Sequence, residues 1–404
     1  MSDYLWKTHH RLVQELDITS HRFLYDEFNL KNRLTGIIGP RGVGKTTLLL
    51  QYIKNNLYES GTAFYFSADS TYFNETSLLE FVDELYLQKG IRQVFIDEIH
   101  KYANWSQELK NIYDSFPKLH VVFSGSSSID LVHGSHDLSR RAKLMHLPGL
   151  SFREYLNLSI DTNFEPISLD TLLSDHIGLS RTLNKTDNLL MHFENYKQFG
   201  YYPFMMGDQD SLYNHLNIIV DKTIFEDIAG FYPLKTANLN NLKRILNFLA
   251  SIPPGKVNTS NIARHLSVDF KTVENYLEML SRTGMVKMLY PVGHGNQLLS
   301  KPSKIYLDNA SLLAGLNTLL SSELDIGTQR ELTFLQSVSG AKIPVFHPQK
   351  GDFTIHENNF EIGGKNKTMQ QLKGIDPDKR FLVKDNMLTG TKHEIPLHLF
   401  GFLY

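Results

Sequence analysis

The chain has 404 residues, with 41 Lys and Arg against 43 Asp and Glu, a formal net charge of −2, and no cysteine. That length predicts two or three domains. The missing cysteines exclude disulfides and thiolate metal sites and suit a reducing cytoplasm. The near-zero charge neither requires a nucleic-acid partner nor excludes one bound by a local patch. The start, Met1-Ser-Asp-Tyr-Leu-Trp-Lys, lacks the apolar segment of a secretory signal. No run of about 18 apolar residues occurs, so no membrane span is expected.

The first legible element is a short apolar strand through Ile37 and Ile38, leading into Gly39-Pro40-Arg41-Gly42-Val43-Gly44-Lys45-Thr46-Thr47 and then an apolar helix beginning near Lys45. This is G-x-x-x-x-G-K-[ST] in its strand–loop–helix setting. Gly42 and Gly44 permit backbone angles that turn successive N–H groups inward on an anion, and the helix start adds its positive dipole end. Lys45 is the candidate for neutralising β/γ-phosphate charge, and the Thr46 hydroxyl for holding Mg²⁺.

Strands are expected near 62–67, 92–97 and 119–124, alternating with helical stretches, which predicts a parallel sheet covered on both faces. Gln93 to Asp97 is continuously apolar until its acidic end, as in a strand buried on both sides. Ligands bind at that end of an α/β sheet. Asp97 is therefore a second Mg²⁺ candidate, directly or through water, and Glu98 the candidate to polarise an attacking water. The strand after them ends in Ser124-Gly-Ser126. In an ATPase sheet it lies between the loop strand and the acidic strand, which makes Ser124 and Ser126 candidate γ-phosphate sensors. Arg140-Arg141 precede a strand-like Lys143–Leu147. Arginine matches phosphate oxygens, and one placed here can reach the nucleotide of a neighbouring subunit; Arg141 is favoured over Arg140, the other reading being a solvated or locally paired basic couple.

Residues 150–240 read as helical, interrupted by the turn Gly200-Tyr-Tyr-Pro203. Next come an amphipathic Leu242–Leu249, a helix opening at Thr259-Ser260, a turn at Ser267-Val268-Asp269, a helix over Phe270–Leu280 and a strand over Met285–Tyr290. That is the order of a winged helix-turn-helix. If it reads DNA, Lys271, Thr272 and Asn275 face the groove. Glu274 and Glu278 on the same helix favour the other use, a packing or subunit-contact module.

These motifs together resemble a prokaryotic family of AAA-type ATPases. The resemblance is carried by Gly39–Leu49, by Phe95-Ile-Asp-Glu-Ile-His100 with Trp105, by Phe123-Ser-Gly-Ser-Ser-Ser128, and by Arg140-Arg-Ala through Leu147-Pro-Gly-Leu-Ser-Phe-Arg-Glu-Tyr-Leu156. It implies an α/β fold: a P-loop NTPase core of the AAA+ type (1–150), a helical lid (151–240), a winged helix (241–310) and a small α+β domain similar to PD-(D/E)XK nucleases (311–404). It further implies ATP and Mg²⁺ as cofactors, ATP hydrolysis, and self-assembly into a hexamer-like ring. Arg141 matches the arginine of the family's Gly-Arg-Ala pattern, with Arg140 standing where the glycine would be. For a lid sensor, Arg153 and Arg181 are the options.

In the nuclease-like tail, Asp352 and Glu361 fit the two metal carboxylates and Glu331 the helix acid. Gly363 stands where the motif's lysine belongs, and Lys365 follows two residues later. Two residues along a strand move an ammonium about 7 Å, unless the Gly363-Gly364 pair forms a bulge, so the tail reads as a retired nuclease fold used for DNA binding or assembly, with active cleavage and a chance match as the competing readings. The leading expectation for the whole chain is a ring ATPase acting on DNA, branched DNA included. The alternatives are a nucleotide-gated assembly switch without nucleic acid and an ATPase-regulated nuclease.

Overall fold

The computed structural model describes residues 2–17, 20–125, 138, 140–206, 212–293 and 301–404. It divides into two compact units, Met1–Pro148 and Gly149–Tyr404.

The first unit is built on a five-stranded parallel sheet: β1 (Leu34–Ile38), β2 (Ala63–Ser67), β3 (Gln93–Asp97), β4 (His120–Gly125) and β5 (Lys143–His146), in the order β2-β3-β4-β1-β5. The strand after the acidic pair does lie between β1 and β3, as expected from the sequence. Side chains alternate faces along each strand. Leu34, Ile38, Phe64, Phe66, Val94, Ile96, Val121 and Phe123 enter one apolar cluster with the helices Leu78–Gln88 and Trp105–Ser115. The first of those helices starts on a Ser77/Glu80 capping box. The alternate positions Thr35, Tyr65, Asp97 and Ser124 therefore share the opposite face, and this parity assembles the site described below. The free edge of β2 is covered by the helix Ser2–Gln14: Trp6 packs on Phe64 at 4.4 Å, and Tyr65 N donates to His9 Nδ1 at 3.1 Å. An edge N–H is thereby removed from pairing with another chain.

The second unit begins with helices at Phe152–Ser159, Leu169–Leu183, Leu189–Phe199 and Leu212–Lys222, the last continuing through a π-helical stretch, Thr223–Ile228. Helices Thr236–Ser251, Thr259–Leu266 and Phe270–Arg282 follow, then the antiparallel pair β6 (Val286–Leu289) and β7 (Lys304–Leu307). The cap of the helix at Thr259 is one residue earlier than the sequence reading: the Asn258 side chain accepts from Ser260 N and Asn261 N, an amide being among the strongest N-caps. Helices Ala310–Leu319 and Ile326–Gly340 lead to a four-stranded sheet, β11 (Glu394–Pro396), β10 (Arg380–Lys384), β9 (Asn358–Gly363) and β8 (Phe353–Ile355), in that order. Only β8 runs against its neighbour. The chain end returns to the start of the unit, where Ser151 Oγ and Arg153 Nε both donate to the Tyr404 carbonyl, at 2.7 and 2.9 Å.

Candidate functional site

The site forms where β1, β3 and β4 end. β1 delivers the chain into the loop 39–44, and the helix Lys45–Asn56 leaves it. Gly42 and Gly44 have φ of 80° and 92°, the left-handed region open to glycine. Gly39 is required by space instead: a Cβ there would stand 2.1 Å from the Leu147 carbonyl oxygen. Lys45 is 6 % exposed, and its Nζ donates to the Gly39 and Pro40 carbonyls at 2.9 and 2.8 Å, in the curl of the loop. Val43 is buried, while Pro40, Arg41, Gly44, Thr46 and Thr47 are half-buried around it.

Asp97 is the hub. It is 3 % exposed, and its Oδ2 accepts from Thr46 Oγ1 at 2.6 Å and from Tyr65 OH at 2.9 Å. Its Oδ1 accepts from Ser124 Oγ and from the Glu98 amide, the latter at 3.1 Å. The Glu98 amide also points at Ser124 Oγ, 3.2 Å away. A carboxylate has about four acceptor positions, so these donors fix the group's orientation. Burial, then the adjacent Asp97, pushes the Tyr65 phenol far above its ordinary range, which keeps it a donor.

Glu98 itself sits at φ 50°. Asparagine and aspartate tolerate that region, glutamate rarely does, so its backbone is strained where the chemistry would occur. Its Oε2 lies 3.4 Å from the buried His100 Nε2. Behind the loop, the buried Arg22 donates to the Val43 carbonyl and, at 2.8 Å, to the Pro148 carbonyl. The structure thus brings together Lys45, Thr46, Asp97, Glu98 and Ser124. Ser126 lies outside the described residues. Tyr65, His100 and Arg22 are additions that the motif reading missed.

The arginine pair stands elsewhere. Lys143 and His146 pair with Thr35 and Ile38, so Arg140 and Arg141 precede the sheet end opposite the loop, roughly 10 Å of strand away. Arg140 is exposed, and Arg141 Nε reaches Asp114 Oδ1 at 3.3 Å. Neither is brought to its own chain's loop.

In the second unit, Lys271 and Asn275 are exposed on the helix Phe270–Arg282. Thr272 is engaged instead by Asp269, which caps that helix: its N and Oγ1 donate to the two carboxylate oxygens at 2.9 and 2.5 Å. Glu274 pairs with Lys301 at 3.4 Å and Glu278 with Arg282 at 2.7 Å. Arg153, an option for a lid sensor, spends its guanidinium on the carbonyls of Tyr404 and Phe164. Lys365 is exposed, and Lys367 is the residue that reaches Glu361, at 2.5 Å. The reason is local: β9 ends at Gly363, and the chain turns so that Lys367 N bonds the Gly364 carbonyl. The Lys367 stem then fills the space over Gly363 that a Cβ would occupy.

Among known proteins, residues 31–156 match the profile of a family described as an AAA domain, and residues 190–323 match a domain of unknown function, DUF8612. The sheet order and the loop make the first unit an α/β, P-loop-type fold, and its sequence is similar to the AAA-domain profile. The uncharacterised protein MJ1637 of Methanocaldococcus jannaschii is 27 % identical over 292 residues, which is 69 % of this chain and 61 % of that protein. The chain thus spans about three fifths of that relative's length. Solved structures with some likeness include AMPPCP-bound DnaA from Aquifex aeolicus, with 15 % identity and a TM-score of 0.28 over 67 % of this chain and 90 % of that one. Drosophila ORC bound to AT-rich DNA and Cdc6 shows 10 % identity and a TM-score of 0.22 over 79 % and 90 %. Among the described residues no helix is long and apolar enough to cross a membrane.

Proposed function

We propose that this chain is an Mg²⁺-dependent ATPase of the AAA+ class that assembles with itself into a ring and acts on DNA. The observation that carries the ATPase reading is the Thr46–Asp97 hydrogen bond of 2.6 Å, made beside the loop that holds Lys45. A hydroxyl whose proton is given to a buried carboxylate turns its lone pairs outward, which is what a hard cation requires. Thr46 and Asp97 would hold Mg²⁺, whose bound charge offsets that of the phosphates. The loop amides and Lys45 would hold the phosphate oxygens. Glu98 would accept the proton of the attacking water, and Ser124, donating to Asp97 and facing the Glu98 amide, keeps those two residues in register.

The place of the arginines supports the ring reading. If a cation at the far end of the sheet serves a nucleotide, it is another subunit's, and a heterologous contact of that kind closes by rotation; the Arg141–Asp114 pair at 3.3 Å supports the local reading instead. Mixing an Arg141→Ala protein with a Lys45→Ala protein should restore partial turnover, because one subunit keeps the loop and the other the finger. No recovery where mixed assemblies demonstrably form would remove Arg141 from that role.

The order of helices and strands over 236–307 supports a winged helix, with Lys271 and Asn275 available to nucleic acid. The engagement of Thr272 by Asp269, and the ion pairs of Glu274 and Glu278, support a second reading: a nucleotide-gated assembly switch that uses this module for protein contacts. ATP turnover measured alone and with single-stranded, duplex and four-way DNA, across a salt series, separates the two. Stimulation that fades with salt, as phosphate contacts demand, supports the DNA-acting motor. Turnover indifferent to every DNA, with no binding, supports the switch, and no turnover under any condition overturns both.

A further inference from the structure

The acidic residues of the C-terminal segment face a lysine that the motif reading did not include. Glu331 comes from the helix Ile326–Gly340, Asp352 from the residue before β8 and Glu361 from β9, while Lys304 opens β7. Lys304 Nζ lies 2.9 Å from Glu331 Oε2 and 3.0 Å from Asp352 Oδ1. Tyr306, two residues along the same strand, donates its hydroxyl to the same Glu331 oxygen at 2.5 Å. The second Asp352 oxygen accepts from Ile362 N at 3.0 Å. Glu361 is fully buried and paired with Lys367.

The electrostatics show how closely the acids are grouped. Burial, then Asp352, pushes both Glu331 and Glu361 above the usual carboxylate range, with Lys304 and Lys367 respectively opposing the rise. Burial pulls Lys304 down, but Glu331 and Asp352 more than reverse it and hold the ammonium above its ordinary value. Carboxylates from three elements, taken from water, repel one another unless a cation stands among them.

A nuclease of the type this segment resembles would put a divalent metal there, and these residues do not fit one as they stand. An ammonium already bridges Glu331 and Asp352, a second one covers Glu361, and no group of acids or histidines among the described residues is arranged to hold a metal. The geometry points to Lys304 as a built-in counter-ion that takes the place of the divalent cation, so that this segment is a metal-independent scaffold. The ammonium gives three donors and one positive charge. That satisfies two carboxylates but offers no Lewis acid and no metal-bound water, so the cluster ties β7 to the helix and to β8 and cleaves nothing. The inference stands apart from the ATPase reading, since none of its residues belongs to the loop site.

The test is Mn²⁺ binding, read by electron paramagnetic resonance on the nucleotide-free full chain. In the unaltered protein, Asp352→Asn should remove no Mn²⁺ site. Lys304→Met keeps the stem and deletes the charge, and should create one Mn²⁺ site per chain that the unaltered cluster lacks, since two carboxylates and water suffice for such a cation. That site should vanish when Asp352→Asn is added, and Lys304→Arg should not create it. A folded Lys304→Met chain that gains no Mn²⁺ overturns the inference. So does an unaltered chain whose Mn²⁺ binding is lost with Asp352→Asn. If Lys304→Met fails to melt cooperatively, Lys304→Gln is read by the same criteria, and the Asp352→Asn result on the unaltered chain still decides.

Discussion

Lys45→Ala is expected to weaken ATP binding about a hundredfold, roughly 3 kcal/mol, with the fold retained. In the structure the ammonium is held on two neutral carbonyls, Gly39 and Pro40, inside the loop. Phosphate oxygens would replace those partners with charged ones, and bonds between two charged groups are shorter and about twice as strong. The gain comes from a lysine already desolvated and in place, so little ordering remains to be done on binding. Alanine forfeits it while keeping the helix start, because alanine is the best helix former. Affinity is read with a fluorescent ATP analogue and the fold by thermal melting. A variant that melts like the unaltered chain and binds with unaltered affinity would disprove the loop assignment.

The second large effect is expected at Glu98. Glu98→Gln should bind ATP within about twofold of the unaltered chain yet turn over about a hundredfold more slowly, the usual worth of a positioned base. The amide has the same shape. The contacts from the Glu98 backbone N–H to Asp97 Oδ1 and Ser124 Oγ do not involve the side chain. The carboxylate charge is removed, and with it the capacity to accept a proton and the 3.4 Å pairing with His100. The backbone at φ 50° is a conformation that glutamate disfavours, and the substitution leaves it unchanged. Phosphate release measured alongside analogue binding gives both halves. Turnover at the unaltered rate would refute the base role.

Much of the first unit could be read from the sequence, because its strands are continuous apolar runs and its loop carries glycines at fixed spacing. Both signals are local. The parallel α/β core follows from them, with strand ends shifted by a residue or two, while the place of β4 between β1 and β3 comes from likeness to an ATPase sheet. What could not be read arises from register across the sheet and from long-range packing. Tyr65 meets Asp97 because β2 and β3 pair Ser67 with Asp97 and leave the phenol on the same face. Arg22 reaches Pro148 across most of the first unit. Lys304 meets Asp352 only once β7 is placed against the C-terminal segment. The exchange of Lys365 for Lys367 has a different origin. Counting along a strand assumes that the strand continues, and β9 stops at Gly363. The pair Gly363-Gly364 is the one local sign of such a break, since glycine pairs mark turns and bulges.

The contacts of Arg22 have a mechanical consequence. One guanidinium grips the Val43 carbonyl in the 39–44 loop and the Pro148 carbonyl, and the neighbouring Leu147 carbonyl stands where a Cβ on Gly39 would be. A planar group with donors on two sides works as a rigid strut. The loop and the point where the chain leaves the first unit are therefore clamped to one another, with no slack between them. Arg22 is thus the residue whose replacement would release the 39–44 loop from the Leu147-Pro148 segment, all within the first unit.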